Sequence, residues 1–299
     1  KNKNTILTLG TFDGIHPGHL KIVDKMVDRS REYGFRNVVI TFHPHPRAVL
    51  SANSDVKLLT TLNEKIELLG KNGVGNVLTI NFTKEFASLT AEEFIYDFLV
   101  NGTGLSEIVL GHDHHFGKGR SGNAELLKVI GAKENFTVTT VDAFYINDEV
   151  VSSTKIRNAL SNGELKKANS LLGRNYSFSG VVVGGDKRGR ELGYPTANIK
   201  LLSQDKLLPA IGIYAVKVIV GSEKHIGLLS IGKRPTFYNE GEIVTEVFIY
   251  NFDREIYNEV VTLELIERLR GEEKFNSADE LINQMNKDKE NGLKILTNK

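Results

Sequence analysis

The sequence predicts two domains: an α/β domain built on a parallel sheet, followed by an antiparallel β-barrel that ends in a helix. Three observations carry this. The first half alternates short β-branched runs with amphipathic stretches, the pattern of a parallel sheet with helices on both faces. The second half changes to period-two alternation broken by glycine-bearing turns, the pattern of an antiparallel barrel. Near Asn175–Phe178 the change occurs without a low-complexity linker or an internal repeat, which sets the domains at 1–175 and 176–299.

The elements follow in order. "TILTL" (5–9) reads as a strand and "HLKIVDKMVDRSREYG" (19–34) as an amphipathic helix. "NVVITFH" (37–43), the helical "LNEKIELLGKNG" (62–73) and "NVLTINF" (76–82) repeat the unit. "TAEEFIYDFLV" (90–100) opens on a capping box of Thr90 and Glu93. "EIVLG" (107–111), "NAELLKVIGAKEN" (123–135) and "FTVTTVDAF" (136–144) complete the alternation, and the helical "STKIRNALSNGELKKANSLLG" (153–173) closes this half. The barrel strands are "FSGVVVGG" (178–185), "GIYAVKVIVG" (212–221), "HIGLLSIG" (225–232), "IVTEVFIYNF" (243–252) and "NEVVTLELIERLR" (258–270). A last helix over 277–296 starts on a second capping box, Ser277 and Glu280.

Composition narrows the function. The 299 residues are 40% hydrophobic and 25% charged, so two ordinary cores can form without staples. A net charge of +1 offers no electrostatic footprint for nucleic acid or an anionic membrane, so anion binding has to be local. No run approaches the roughly 18–20 apolar residues of a membrane span. The absence of cysteine excludes disulfides, thiolate metal sites and thiol catalysis, and is compatible with a reducing cytoplasm. Self-association is left open by the sequence.

In a parallel sheet, ligands sit beyond the carboxyl ends of the strands. "GTFDGIHPGH" (10–19), "TFHPHP" (41–46) and "GHDHHFG" (111–117) all follow predicted strands and should meet in one crevice. In the first, His16 and His19 stand three apart at the start of a helix, where unpaired N–H groups favour phosphate. They are placed to donate hydrogen bonds to a phosphorus centre gaining charge. "SSTKIRNAL" (152–160) adds Ser152, Ser153, Thr154, Lys155 and Arg157 at another helix start, a set suited to a polyphosphate. Taken alone, it equally fits an ordinary cap with solvated charges. Seven of the eight histidines fall between His16 and His115, yet their spacing matches no helical or knuckle ligand pattern, which argues against a transition-metal site.

In the second half, "GVVVGGDKRGRELGYPTANI" (180–199) is glycine-rich without the Gly-Lys-Ser/Thr of a phosphate loop. Gly184 and Gly185 read as turn glycines. Pro195 stiffens the segment, and Thr196 and Asn198 present hard oxygen ligands on one side, suited to Mg²⁺ on ATP phosphates. Glu246 in "TEVFIY" reads, from pattern alone, as an outward charge on an antiparallel strand.

Together these motifs resemble the bacterial bifunctional riboflavin kinase/FAD synthetase (FMN adenylyltransferase) family over essentially the whole chain. "PAIGIYAV" (209–216), "IGKRPTF" (231–237) and "LRGEEKF" (269–275) extend the match in family order. The resemblance implies a Rossmann-like nucleotidyltransferase domain followed by a riboflavin kinase barrel. It implies phosphorylation of riboflavin to FMN in the second, and adenylylation of FMN to FAD with release of pyrophosphate in the first. ATP with Mg²⁺ would serve both steps. Carried over, His16 and His19 stabilise the α-phosphate transition state and Glu246 is the general base of the kinase. Gly10, Phe12, Asp113, Ser152, Ser153, Thr154, Lys155, Arg157, Gly189, Thr196 and Asn198 would bind nucleotide, with Thr196 and Asn198 also on the metal. His45, Phe116, Arg270 and Phe275 would lie by flavin. His114 stands where the family has an aromatic residue, and Ser230 where it often has Asn.

Overall fold

The computed structural model describes residues 4–51, 56–185, 194–233 and 243–298. They form two compact units, divided between Ser153 and Thr154.

In the first unit, strands β1 (Thr5–Leu9), β2 (Arg36–His43), β3 (Asn76–Asn81), β4 (Leu105–Gly111) and β5 (Thr137–Val141) make one parallel sheet ordered β3-β2-β1-β4-β5. These are the five predicted strands. Every residue of β1 is buried, as suits a central strand covered on both faces. The chain winds outward from β1 through β2 to β3, then returns to β4 on the other side. The topological switch point therefore lies beside β1, with the "TFHPHP" and "GHDHHFG" loops leaving the same sheet end on its two neighbours. The His43–Pro44 peptide bond in the former is cis.

Helix α1 (Pro17–Tyr33) starts with proline in its first turn and ends on Gly34 at φ 66°, the left-handed conformation a glycine takes without strain. Short α2 (Pro46–Leu50) follows, then α3 (Leu62–Lys71), capped by a reciprocal Thr61–Glu64 box. Helix α4 (Lys84–Ala87) precedes the predicted "TAEEFIYDFLV" segment, which is not one regular helix. The Thr90–Glu93 box caps α5 (Ala91–Glu93), but Phe94–Val100 is wound as a π-helix before α6 (Asn101–Thr103). The wider turn stacks Phe94 on Phe98 (5.8 Å between ring centres) and lets both meet Phe86 edge-on, at 5.9 and 5.3 Å. Helix α7 (Ala124–Glu134) leads into β5, and a small hairpin of β6 (Tyr145–Ile146) and β7 (Glu149–Val150) follows it.

The second unit takes up the chain within α8 (Ser153–Ser161), after its first residue; α8 and α9 (Leu165–Leu172) precede a closed six-stranded antiparallel barrel, with neighbours in the order β10-β11-β12-β9-β8-β13. Its strands are β8 (Ser177–Val183), β9 (Thr196–Leu201), β10 (Gly212–Val220), β11 (Glu223–Lys233), β12 (Ile243–Ile249) and β13 (Val260–Arg270). β9 is the strand the sequence pattern did not separate from its loop. Asn169 of α9 donates to the Leu265 carbonyl of β13 (3.0 Å), and Asn175 to Glu264 (2.9 Å), tying α9 to the barrel. Helix α10 (Ala278–Thr297) packs on β10, β11 and β13. Ser277 caps it, but Glu280 reaches back to the Asn276 N–H (2.9 Å), so the predicted box is displaced by one residue.

Candidate active sites

The loop joining β1 to α1 is held in an uncommon shape. Phe12 (φ 45°), Gly14 (φ 92°) and Ile15 (φ 39°) all have left-handed backbone, which costs the two non-glycine residues about 1–3 kcal/mol each. Both are almost fully buried, so packing offsets this. Asp13, 1% exposed, accepts hydrogen bonds from the backbone N–H of Leu59 (3.1 Å) and Thr60 (3.0 Å) and from the Thr60 hydroxyl (3.3 Å). Gly14 N–H donates to Thr60 Oγ1 (3.0 Å), and Ser153 Oγ donates to the Asp13 carbonyl (2.8 Å). Lys65, only 6% exposed, donates to the Thr11 carbonyl (2.6 Å) and Thr41 Oγ1 (3.1 Å). Burial pushes its ammonium down to about 8, while Asp13 acts in the opposite direction.

This frame presents the two histidines together. His16 is the N-cap of α1, and its Nδ1 accepts from the His19 N–H (3.3 Å). That bond fixes the neutral His16 ring with its hydrogen on Nε2, as a donor. The rings stack at 3.6 Å and 18°, with Phe12 edge-on to His19 at 5.2 Å. Gly18 packs closely here: a Cβ would stand 3.2 Å from the His16 ring. One imidazole buried and the other half-buried, the pair stands at the start of a 17-residue helix, an arrangement that can donate hydrogen bonds to an anion.

Of the other predicted residues, Gly10 is bonded to the Ile40 carbonyl (3.0 Å), and His45 caps α2 by accepting from Arg47 N–H (3.2 Å). Asp113 is exposed, and Phe116 is buried against Phe94 (5.7 Å) and, face to face, His114 (6.1 Å). Ser152 is half-buried, and Ser153 opens α8, which carries Thr154, Lys155 and Arg157 onward along the chain.

The second constellation lies on adjacent barrel strands. Glu246 of β12 pairs directly with Asn198 of β9 on one side and Ser230 of β11 on the other. Thr196 Oγ1 donates to Glu246 Oε2 (3.1 Å). Alternation turns Thr245, Val247 and Ile249 into the core and puts Glu246 and Phe248 on the outer face. Glu246 is outward as its pattern reads, yet half-buried and hydrogen-bonded rather than a solvated charge. Gly185 does more than turn the chain, since any side chain there would collide with the Asn198 amide. Gly189 lies outside the described residues.

Arg270, at the end of β13, makes a forked pair with Asp288 of α10: Nε to Oδ1 and Oδ2 (3.2 and 3.0 Å) and Nη2 to Oδ2 (2.8 Å). Its guanidinium also stands over the Phe275 ring at 5.8 Å. Gln284 donates to the same carboxylate (2.9 Å), so Asp288 is buried but fully engaged. Sequence reasoning missed Asp13, Lys65 and Asp288. An acid set among the glycines of "GTFDG" was a usable signal for the first; the other two look like surface charges on amphipathic helices.

Two family models match the chain, FAD synthetase over residues 1–155 and riboflavin kinase over residues 172–296. The bifunctional riboflavin kinase/FMN adenylyltransferase of Listeria monocytogenes is 40% identical over 96% of this chain and 91% of its own. Those of Bacillus subtilis and Escherichia coli are each 36% identical, over 98% and 95% of this chain and 93% and 90% of theirs. A Streptococcus pneumoniae crystal structure, described as a macrolide-efflux protein, matches with TM-score 0.89 and 34% identity over 97% of this chain and 94% of that one. Among the described residues no helix is long and apolar enough to cross a membrane. A histidine loop on a parallel sheet and a Thr–Asn–Glu cluster on a barrel, each inside its own matched half, place the chain in the bifunctional riboflavin kinase/FMN adenylyltransferase family, with FAD synthetase first and riboflavin kinase second.

Proposed function

We propose the following division of labour for the two reactions. In the first domain, taken as 1–175, an FMN phosphate oxygen attacks the α-phosphorus of ATP, the bond to the β-phosphate breaks and pyrophosphate leaves. That nucleophile is already an anion, so the reaction asks for alignment and charge stabilisation rather than a base. His16 and His19 supply it as donors to the α-phosphate. Ser152, Ser153, Thr154, Lys155 and Arg157 hold the polyphosphate, Gly10, Phe12 and Asp113 the nucleotide, and His45 and Phe116 the flavin side. The stacked, helix-capping histidine pair carries this reading.

In the second domain, 176–299, the ribityl hydroxyl of riboflavin must lose a proton as it attacks the γ-phosphorus of ATP. Glu246 accepts that proton and ADP leaves. The Thr196–Glu246 hydrogen bond orients the carboxylate. Thr196 and Asn198 are hard oxygen donors side by side on β9, a set that fits Mg²⁺, which would neutralise phosphate charge when bound. Arg270 and Phe275 border the flavin, with Arg270 held in place by Asp288. Because both steps consume ATP, the reading includes a cytoplasmic location.

The test is chromatography of products from the purified chain with ATP and Mg²⁺, started once from riboflavin and once from FMN. FAD from both, with FMN appearing first from riboflavin, is expected. FMN alone from riboflavin, with none converted, would remove the adenylyl-transfer assignment.

A further inference from the structure

The histidine loop needs more than its own sequence to hold its shape. Two non-glycine residues with left-handed backbone in one short loop, Phe12 and Ile15, persist only where the surroundings over-determine them. Three segments distant in the chain do so here. The turn before α3 grips Asp13 through Leu59 and Thr60, Ser153 binds the Asp13 carbonyl, and β2 supplies Thr41, whose hydroxyl donates to the Thr11 carbonyl (3.2 Å). The fourth grip is the least expected. α3 turns Lys65 inward and leaves its neighbour Ile66 41% exposed, the reverse of what hydrophobicity favours. A buried ammonium costs desolvation, and it donates to a carbonyl and a hydroxyl rather than to a carboxylate, with the nearby Asp13 charge acting from within the loop.

We propose that Lys65 is a positioning residue for adenylyl transfer, bracing the Thr11 carbonyl and Thr41 so that the loop carrying His16 and His19 keeps the geometry needed at the α-phosphate. The inference rests on the adenylyl-transfer reading of this loop. Lys65 acts through the backbone: it fixes Thr11, the residue just before the first left-handed position at Phe12, and the Asp13 clamp fixes the residue two positions on. Loss of one brace leaves a loop that still binds nucleotide through its backbone but aligns the donors poorly. The consequence is a defect in turnover more than in ATP binding.

The test uses the full chain carrying Lys65→Met, measured for FMN-to-FAD conversion with ATP varied, and for riboflavin phosphorylation on the same preparation. The expected result is a fall in kcat for FAD formation of about 30-fold, the rate equivalent of one lost buried charged hydrogen bond. KM for ATP should stay within about 3-fold, and FMN formation should be unchanged. A kcat within about 3-fold of the unaltered chain, or a rise in KM alone, overturns the proposal. If the unaltered chain makes no FAD, the adenylyl-transfer reading itself fails, which is a separate outcome.

Two further variants decide the matter should Lys65→Met fold poorly. Thr41→Val keeps both buried charges and removes only the hydroxyl bridge; its kcat should fall several-fold at constant KM. Asp13→Asn combined with Lys65→Met leaves no buried charge, so a merely charge-balancing lysine would be rescued in both folding and FAD formation. A kcat in that double variant no lower than in Asp13→Asn alone would overturn the proposal, and one lower again by about 10-fold or more would support it.

Discussion

Replacing His114 by phenylalanine should make the first unit markedly less sensitive to acid. The His114 ring lies face to face with Phe116, and its Nε2 is enclosed with no hydrogen-bond partner among the described residues. Burial pushes the imidazole down from 6.5 to about 4; Asp113 opposes this, while His115 and Arg120 reinforce it. Between those two values the unfolded chain binds a proton that the folded chain does not. Stability from this group is therefore complete above pH 6.5 and is lost as the pH falls toward 4. At 1.36 kcal/mol per pH unit the whole window corresponds to about 3 kcal/mol, of which about 2 kcal/mol is lost between pH 7.5 and 5. The chain has no cysteine, so a single one placed at the fully buried Val109 of β4 gives a clean labelling probe for opening of this sheet. Opening free energies, measured with a pyridyl disulfide that reacts in acid, should drop by about 2 kcal/mol less in the His114→Phe protein over that range. An equal drop in both, or an NMR titration placing His114 near 6.5, would refute the reasoning.

Other outcomes follow from the same geometry. His19→Ala should cut FAD formation by about 100-fold while riboflavin phosphorylation continues, checked by product chromatography; equal loss of both would undo the two-site assignment. Glu246→Gln should reverse the pattern, blocking FMN production while supplied FMN still becomes FAD. Arg270→Met strands the buried Asp288 carboxylate and should destabilise the barrel by about 3 kcal/mol in urea unfolding, whereas Arg270→Met with Asp288→Leu should recover much of that loss. Phe178→Ala empties a fully buried site on β8 and should cost about 3–5 kcal/mol.

Much of the fold was legible because it is written locally. All five parallel strands, the Thr90–Glu93 box and the change to barrel grammar follow from hydrophobic period and capping residues, which act within a few positions of the chain. β9 was not legible: Pro195 and a mixed Thr-Ala-Asn-Ile run give weak alternation, and pairing with β8 and β12 makes it a strand. The π-helix was not legible either, since "FIYDFLV" satisfies an α-helical pattern, and contacts among Phe86, Phe94 and Phe98 accompany the wider winding. Of the candidate site residues, His16 and His19 were singled out by their motif and Glu246 by the family resemblance alone, but the loop's strain and the hydrogen bond on Glu246 were not legible.

The sequence by itself determined the order of elements, the two halves and the chemical groups each half offers, because backbone preference and hydrophobic period are properties of neighbouring residues. Tertiary structure decided which of those groups are held and by what. Lys65 and Asp288 carry the letters of surface charges; one braces a loop 54 residues earlier and the other pairs with an arginine 18 residues earlier on another element. Such pairings are set by crossovers and helix docking, and they fix burial, hydrogen-bond partners and proton affinity, none of which a residue possesses until the chain has folded around it.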